Sequence, residues 1–198
     1  MDNMEKNALP KKVILASGSP RRRDLLGEMG IEFEIDVPDV DETVEGAPGE
    51  MVKTLAERKA RAVAEKRCEG LIVAADTLVA LDGRALGKPA DDEEAKEMLR
   101  SLSGRTHDIL TGVCVMDAAS GKCMVEADRT GVCFRVISEE EIEAYVATGE
   151  PRDKAGAYAI QGGAGVFVAK YEGSWTNGIG LPMELLDKML RGMNQSAR

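Results

Sequence analysis

Between Leu71 and Leu81 every residue is apolar except Asp76 and Thr77. A continuous apolar run of this length reads as a strand buried on both faces, so the rest of the chain has to cover two sides of a sheet. Asp82-Gly83, directly after it, is a strong hairpin-turn pair. The run therefore marks a central strand, and its two polar residues are the anomaly that a functional reading has to explain. At 198 residues the chain can bury a sizeable core, as one body or as two small lobes sharing a cleft.

The flanking pattern alternates helix and strand. Residues 13–16 form a short apolar strand, and Leu25, Leu26 and Met29 place apolar groups on one face of a helix that Gly30 ends. A second strand spans 31–37, and a longer helix starts near Pro48-Gly49-Glu50 with a stripe at Val52, Leu55, Ala56 and Val63. Asp91 or Asp92 opens an amphipathic helix carrying Ala95, Met98, Leu99 and Leu102, closed by Gly104. Strands at 111–116 and 123–137 pair around the Ala119-Ser120-Gly121 turn. Ser138 and Glu141 form a capping box for a helix with Ile142, Tyr145 and Val146. A Gly-rich stretch, 156–165, precedes a strand at 166–168 and a loop at 172–180, and Pro182 opens a last helix. This order predicts an α/β or α+β fold with a mixed, twisted central sheet and flanking helices. Residues 1–10 are polar and are expected to be a disordered leader ahead of one domain, 11–198.

Several residues break the rules of the elements that hold them. Ser17-Gly18-Ser19-Pro20-Arg21-Arg22-Arg23 sits between a strand and a helix. Ser19 suits the N-cap and Pro20 the first helical position, which puts three arginines where the helix dipole disfavours positive charge. The segment is either a solvated basic turn or an anion site built from backbone N–H groups, hydroxyls and guanidinium groups. A carboxylate within a buried strand is costly unless paired, metal-bound or at a cleft mouth, so Asp76 is the leading catalytic candidate, with Thr77 beside it. Lys59 falls on the apolar stripe of its helix, where it either snorkels to water or reaches a phosphate. Lys88 lies between Gly87 and Pro89.

The acidic turn Asp39, Asp41, Glu42 is either solvated or meets Asp76, since converging carboxylates from two loops suit Mg²⁺. Gln161 stands between apolar strand residues and Gly162-Gly163; its amide either satisfies a strand end or reads a nucleobase edge, with the glycines permitting close approach. His107, the only histidine, reads as a polar loop residue.

Net charge is −9 and the isoelectric point is about 4.8. Such an acidic body suits neither a nucleic-acid polymer nor an anionic membrane, and a basic tip on it favours a small anion. Four scattered cysteines with no C-x-x-C pair argue against structural zinc and suit reduced thiols in the cytoplasm. No segment has the apolar length of a signal core or a membrane span. Neither a P-loop nor a G-x-G-x-x-G fingerprint is present.

Five blocks in order, Ala16 to Arg22, Ala75-Asp76-Thr77, Gly87-Lys88-Pro89, Leu102 to His107 and Asp153 to Gly162, resemble the Maf family of nucleoside triphosphate pyrophosphatases. The last block resembles the subgroup that hydrolyses dTTP and UTP. The resemblance implies a fold like that of inosine triphosphate pyrophosphatases with two lobes around a cleft, Mg²⁺ or Mn²⁺ dependence, and a homodimer. It implies Asp76 as proton acceptor and Arg21, Thr77 and Gln161 as positions linked to substrate choice. It further implies Ser17, Ser19, Arg22, Lys59 and Lys88 as polar or basic cleft positions and Glu42 as an acidic one; Glu42 and Asp76 are the carboxylates expected to hold the metal. Ala159 and Trp175-Thr176-Asn177-Gly178 depart from the family pattern. The activity expected is cleavage of a nucleoside triphosphate to monophosphate and pyrophosphate; the alternatives are a nucleotide-binding regulator of septum formation or cell division, and a phosphatase releasing orthophosphate.

Overall fold

The structure, a computed structural model, describes residues 11–195; the expected leader at 1–10 lies outside the described residues. Its strands are β1 (Val13–Leu15), β2 (Phe33–Ile35), β3 (Leu71–Leu81), β4 (Arg84–Leu86), β5 (Thr106–Asp117), β6 (Cys123–Phe134) and β7 (Val168–Glu172). Its α-helices are α1 (Pro20–Glu28), α2 (Pro48–Ala64), α3 (Asp92–Leu102), α4 (Glu139–Ala147), α5 (Trp175–Ile179) and α6 (Met183–Gln195). The seven strands make one mixed sheet ordered β2-β1-β3-β5-β6-β7, with β4 added to β3. β1 is parallel to β2 and β3, and the β3-β5-β6-β7 pairings are antiparallel.

The central strand is the expected one. β5 pairs along one edge of β3 from Leu71 to Ala80. On the other edge β1 covers only Leu71 to Val73, and β4 covers only Val79 to Leu81. Residues 74–78, with Asp76 and Thr77 among them, have no strand partner on that edge, and this gap positions the site.

Alternation along β3 sends its side chains to two differently covered faces. One face packs under α2, where Ile72, Ala74, Cys114 and Met116 meet Ala56, Ala60 and Val63. The other face carries two clusters. Val73, Ala75, Val113 and Val115 pack on α1 and α6 at one end, and Val79, Leu81 and Ile109 pack with α3 and α4 at the other. These clusters are the cores of the two lobes, and both are built on the same strands.

The local signals fold largely as the residues suggest. Ser19 caps α1 with Pro20 at its first position, Asp91 caps α3, and Ser138 and Glu141 form the capping box of α4. Asp82 and Gly83 both take positive φ in the β3-β4 turn. Elsewhere the expectations need correction. Strand β2 is confined to the three residues in register with β1. Residues 163–167 form a 3₁₀ turn that feeds β7, so the expected strand at 166–168 starts only at Val168. The expected loop at 172–180 contains α5, capped by Ser174. β5 begins at Thr106, earlier than expected, which moves His107 out of a loop and into the core: it is buried, and its Nε2 lies 2.7 Å from the Tyr158 hydroxyl.

Candidate active site

Asp76 and Thr77 are neighbours on β3, so they point to opposite faces of the sheet, and each enters a different polar cluster. On the α2 face, Lys59 Nζ donates to Asp76 Oδ1 at 2.6 Å and lies 2.7 Å from Glu42 Oε1. The Lys59 and Asp76 side chains are only 12% and 15% exposed. One ammonium thus bridges the two carboxylates singled out in the sequence, and the buried-strand carboxylate has a charge partner that offsets part of the cost of burying it. The hydrogen bond from Lys59 holds the Glu42 carboxyl below the usual range; the charges of Lys59, Lys88 and Arg22 add to this, and partial burial opposes it.

Two features outside the motifs create this geometry. Gly112 is paired with Asp76 across the β3-β5 ladder. A Cβ there would lie 2.2 Å from the Val52 carbonyl oxygen, so the α2 backbone comes down onto the sheet beside Asp76 only because residue 112 has no side chain. Arg58, next to Lys59 on α2, donates Nη1 to the carbonyls of Asp41 and Thr43, the latter at 3.2 Å. Thr43 N–H closes an Asx turn on Asp41 Oδ1 at 2.8 Å. Arg58 and Asp41 fix the backbone on either side of Glu42 while Lys59 holds its carboxylate. The pattern showed neither residue's part, because it depends on which loop α2 packs against.

On the opposite face, each guanidinium nitrogen of Arg22 donates to a protein acceptor. Its Nε donates to the Gly180 carbonyl at 2.8 Å, Nη2 to Thr77 Oγ1 at 3.0 Å and Nη1 to Ser17 Oγ at 3.3 Å. Burial lowers its pKa from the ordinary arginine value, and the Asp76 carboxylate opposes that shift. Thr77 Oγ1 also lies 3.0 Å from Thr111 Oγ1, which donates to the Asn177 carbonyl at 3.1 Å. Asn177, fully buried, donates to the Ile109 carbonyl and to Thr130 Oγ1. The segment 175–178, which departs from the expected pattern, is thereby the anchor behind Thr77.

At the strand-to-helix tip, Ser17 Oγ accepts the Ser19 N–H at 3.2 Å and Ser19 Oγ accepts the Arg22 N–H at 3.5 Å. Among the described residues Arg21 and Lys88 make no hydrogen bond or ion pair. Arg21 lies within electrostatic reach of Asp153, and Lys88 of Glu42. Arg23 is exposed and pairs only with its neighbour Asp24, as a solvated residue would. The basic residues singled out in the sequence therefore divide: the Arg22 and Lys59 side chains are bonded to protein acceptors, and those of Arg21 and Lys88 have no hydrogen-bond or ion-pair partner among the described residues.

Gln161 lies on a turn, not at a strand end, and is exposed with its amide unpartnered among the described residues. Among the described residues no hydrogen bond joins it to Asp76, Lys59 or Glu42. The glycines after it serve an approach from inside the protein: Glu150 Oε1 occupies the place, 1.9 Å away, where a Gly162 Cβ would stand.

A divalent ion would find two carboxylates here, from Glu42 and Asp76. No group of three or more His, Cys, Asp or Glu side chains suited to a metal occurs among the described residues. Mg²⁺ is commonly held by one or two carboxylates, with water and phosphate oxygens completing its shell, so this donor set fits.

The family model described as Maf-like protein matches residues 12–193. A protein of Pelotomaculum thermopropionicum named dTTP/UTP pyrophosphatase is 54% identical over 91% of this chain and 96% of its own length. Proteins with the same name from Desulforamulus reducens and Bacillus cereus are 47% and 46% identical, over 91% and 93% of the chain and 96% and 91% of their own lengths.

Proposed function

Because the chain belongs to the Maf-like family, we propose that it is a nucleoside triphosphate pyrophosphatase that hydrolyses dTTP and UTP to the monophosphate and pyrophosphate. The observation that carries this reading is the unpaired stretch of β3, where Asp76 meets Lys59 and Glu42 on one face while Thr77 meets Arg22 on the other.

Arg21 and Lys88, the uncommitted cations, bind the phosphate chain, and the backbone N–H groups at the start of α1 add donors for it. Asp76 orients the attacking water and takes its proton; Lys59 then balances charge among Asp76, Glu42 and the phosphates. Arg22 fixes Thr77, Ser17 and the Gly180 carbonyl relative to one another, so the groups on this face of β3 keep their spacing. Glu42 and Asp76 would hold Mg²⁺ or Mn²⁺, which when bound supplies charge neutralisation at the phosphate oxygens. Gln161 and Thr77 read the pyrimidine edge.

The chain has no helix among the described residues long and apolar enough to cross a membrane, and its four cysteines are free, which supports a cytoplasmic place. A homodimer is the assembly that the family resemblance suggests.

The test is a panel of nucleoside triphosphates at equal concentration with Mg²⁺, read by pyrophosphate release. dTTP and UTP should lead. A purine-first ranking would overturn the substrate assignment, and tight binding without product would favour the regulator.

A further inference from the structure

We infer that Glu150, together with Tyr145, is a positioning residue that clamps the turn bearing Gln161 and so sets discrimination between pyrimidine and purine triphosphates. The inference rests on the reading of Gln161 as a contact to the base.

Gln161 stands in a short turn closed by Gly162 N–H to the Ala159 carbonyl at 2.9 Å. Both ends of that turn are held from α4 and from Glu150, the third residue after it. The Ala159 N–H donates to the Tyr145 hydroxyl at 3.2 Å, and the Gly163 N–H donates to Glu150 Oε2 at 2.9 Å. Tyr145 is buried, and its ring meets Phe167 edge-on at 5.5 Å. Burial raises its hydroxyl pKa and the neighbouring Glu150 carboxylate raises it further, so the hydroxyl remains protonated and able to donate to Glu150. Glu150 is itself placed by Gly149, at φ 76°, and by its own N–H to Thr148 Oγ1 at 3.2 Å.

The glycine pair after Gln161 leaves room for this clamp. A Cβ on Gly162 would overlap the Glu150 carboxylate at 1.9 Å, and one on Gly163 would crowd Tyr145 Cε2 at 3.2 Å. Two turn ends fixed by buried or part-buried partners, with an exposed and unpartnered amide between them, is the arrangement that fixes a donor and an acceptor for a ligand. A solvated surface glutamine would need no such support. Among the described residues neither Glu150 nor Tyr145 has a hydrogen bond or ion pair to Asp76, Lys59 or Glu42, so the effect is expected through the orientation of the Gln161 amide.

The test compares kcat/KM for dTTP and dATP in Glu150→Ala, Glu150→Gln, Tyr145→Phe, Gln161→Ala and the Glu150→Ala/Gln161→Ala double variant. Glu150→Ala should lower the dTTP-to-dATP ratio on the order of tenfold, chiefly through KM for dTTP, as expected for a misplaced contact group. Glu150→Gln, which keeps an acceptor for the Gly163 N–H, should recover part of that ratio. In the Gln161→Ala background the Glu150 substitution should change the ratio no further. Equal losses on both substrates, or a full additional loss in that background, would overturn the positioning role. Hydrogen exchange at the Gly163 amide separates this role from the reading beneath it. Faster exchange in Glu150→Ala supports the clamp and unchanged exchange overturns it, whereas an unaltered ratio in Gln161→Ala overturns base reading by Gln161.

Discussion

Lys59 meets Asp76 and Glu42 at once, and that contact decides what each of the three can do. Asp76→Asn keeps the shape of the side chain and leaves Lys59 its bond to Glu42, so the fold should survive while turnover falls about 10²- to 10⁴-fold, the usual loss for a general base. Steady-state pyrophosphate release with a thermal melt checks both halves of that expectation. His107 gives a second prediction. Burial lowers its pKa to about 4 from an ordinary 6.5. The unfolded chain therefore binds a proton that the folded chain refuses, and stability is lost as pH falls from about 6.5 towards 4. At about 1.4 kcal/mol per unit this single group should cost about 2 kcal/mol between pH 7 and pH 4.5. Urea titrations should show that difference shrinking in His107→Gln. At this scale Asp76 and Lys59 were legible as a charge in an apolar strand and a cation on an apolar stripe. Glu150, Arg58 and Gly112 were not, because each is explained by a neighbour far along the chain.

α2 covers β3 and β5 on one face of the sheet and carries Val52, Arg58 and Lys59, so its distance from β5 sets the geometry around Asp76. Gly112→Ala would push a methyl against the Val52 carbonyl, a backbone atom that cannot rotate away. It should destabilise by at least about 1–3 kcal/mol and reduce activity as Lys59 is lifted from Asp76; chemical denaturation and kcat together would show it. α5 presents the same kind of dependence on the other face. Asn177→Ala removes two hydrogen bonds at a fully buried site and should cost about 1–3 kcal/mol. Long elements with a clear period, such as α2, α3 and β3, were readable from the sequence. Val166, Phe167 and Val168 are good strand formers and predict a strand, but the glycines ahead of them bend the chain into a 3₁₀ turn that takes in Val166 and Phe167, and the strand starts at Val168.

Across the whole molecule, β3, β5 and β6 run beneath both lobes, so neither core can open without breaking ladders that the other uses. Trp175, the single tryptophan, reports on the α5 region, while far-ultraviolet circular dichroism reports on the whole sheet. Their unfolding midpoints should coincide, and separated midpoints would mean that the lobes unfold independently. The shared strands also explain why the apolar run at 71–81 predicted the architecture so well, whereas the gap beside Asp76 became visible only when pairing showed where β1 and β4 leave β3 uncovered. The central claim is that this gap cleaves a nucleoside triphosphate between its α- and β-phosphates. Chromatography of the products from dTTP and Mg²⁺ tests it most directly. The account predicts dTMP and pyrophosphate in equal amounts, with that production lost in Asp76→Asn; dTDP with orthophosphate, or undiminished turnover by the variant, would contradict it.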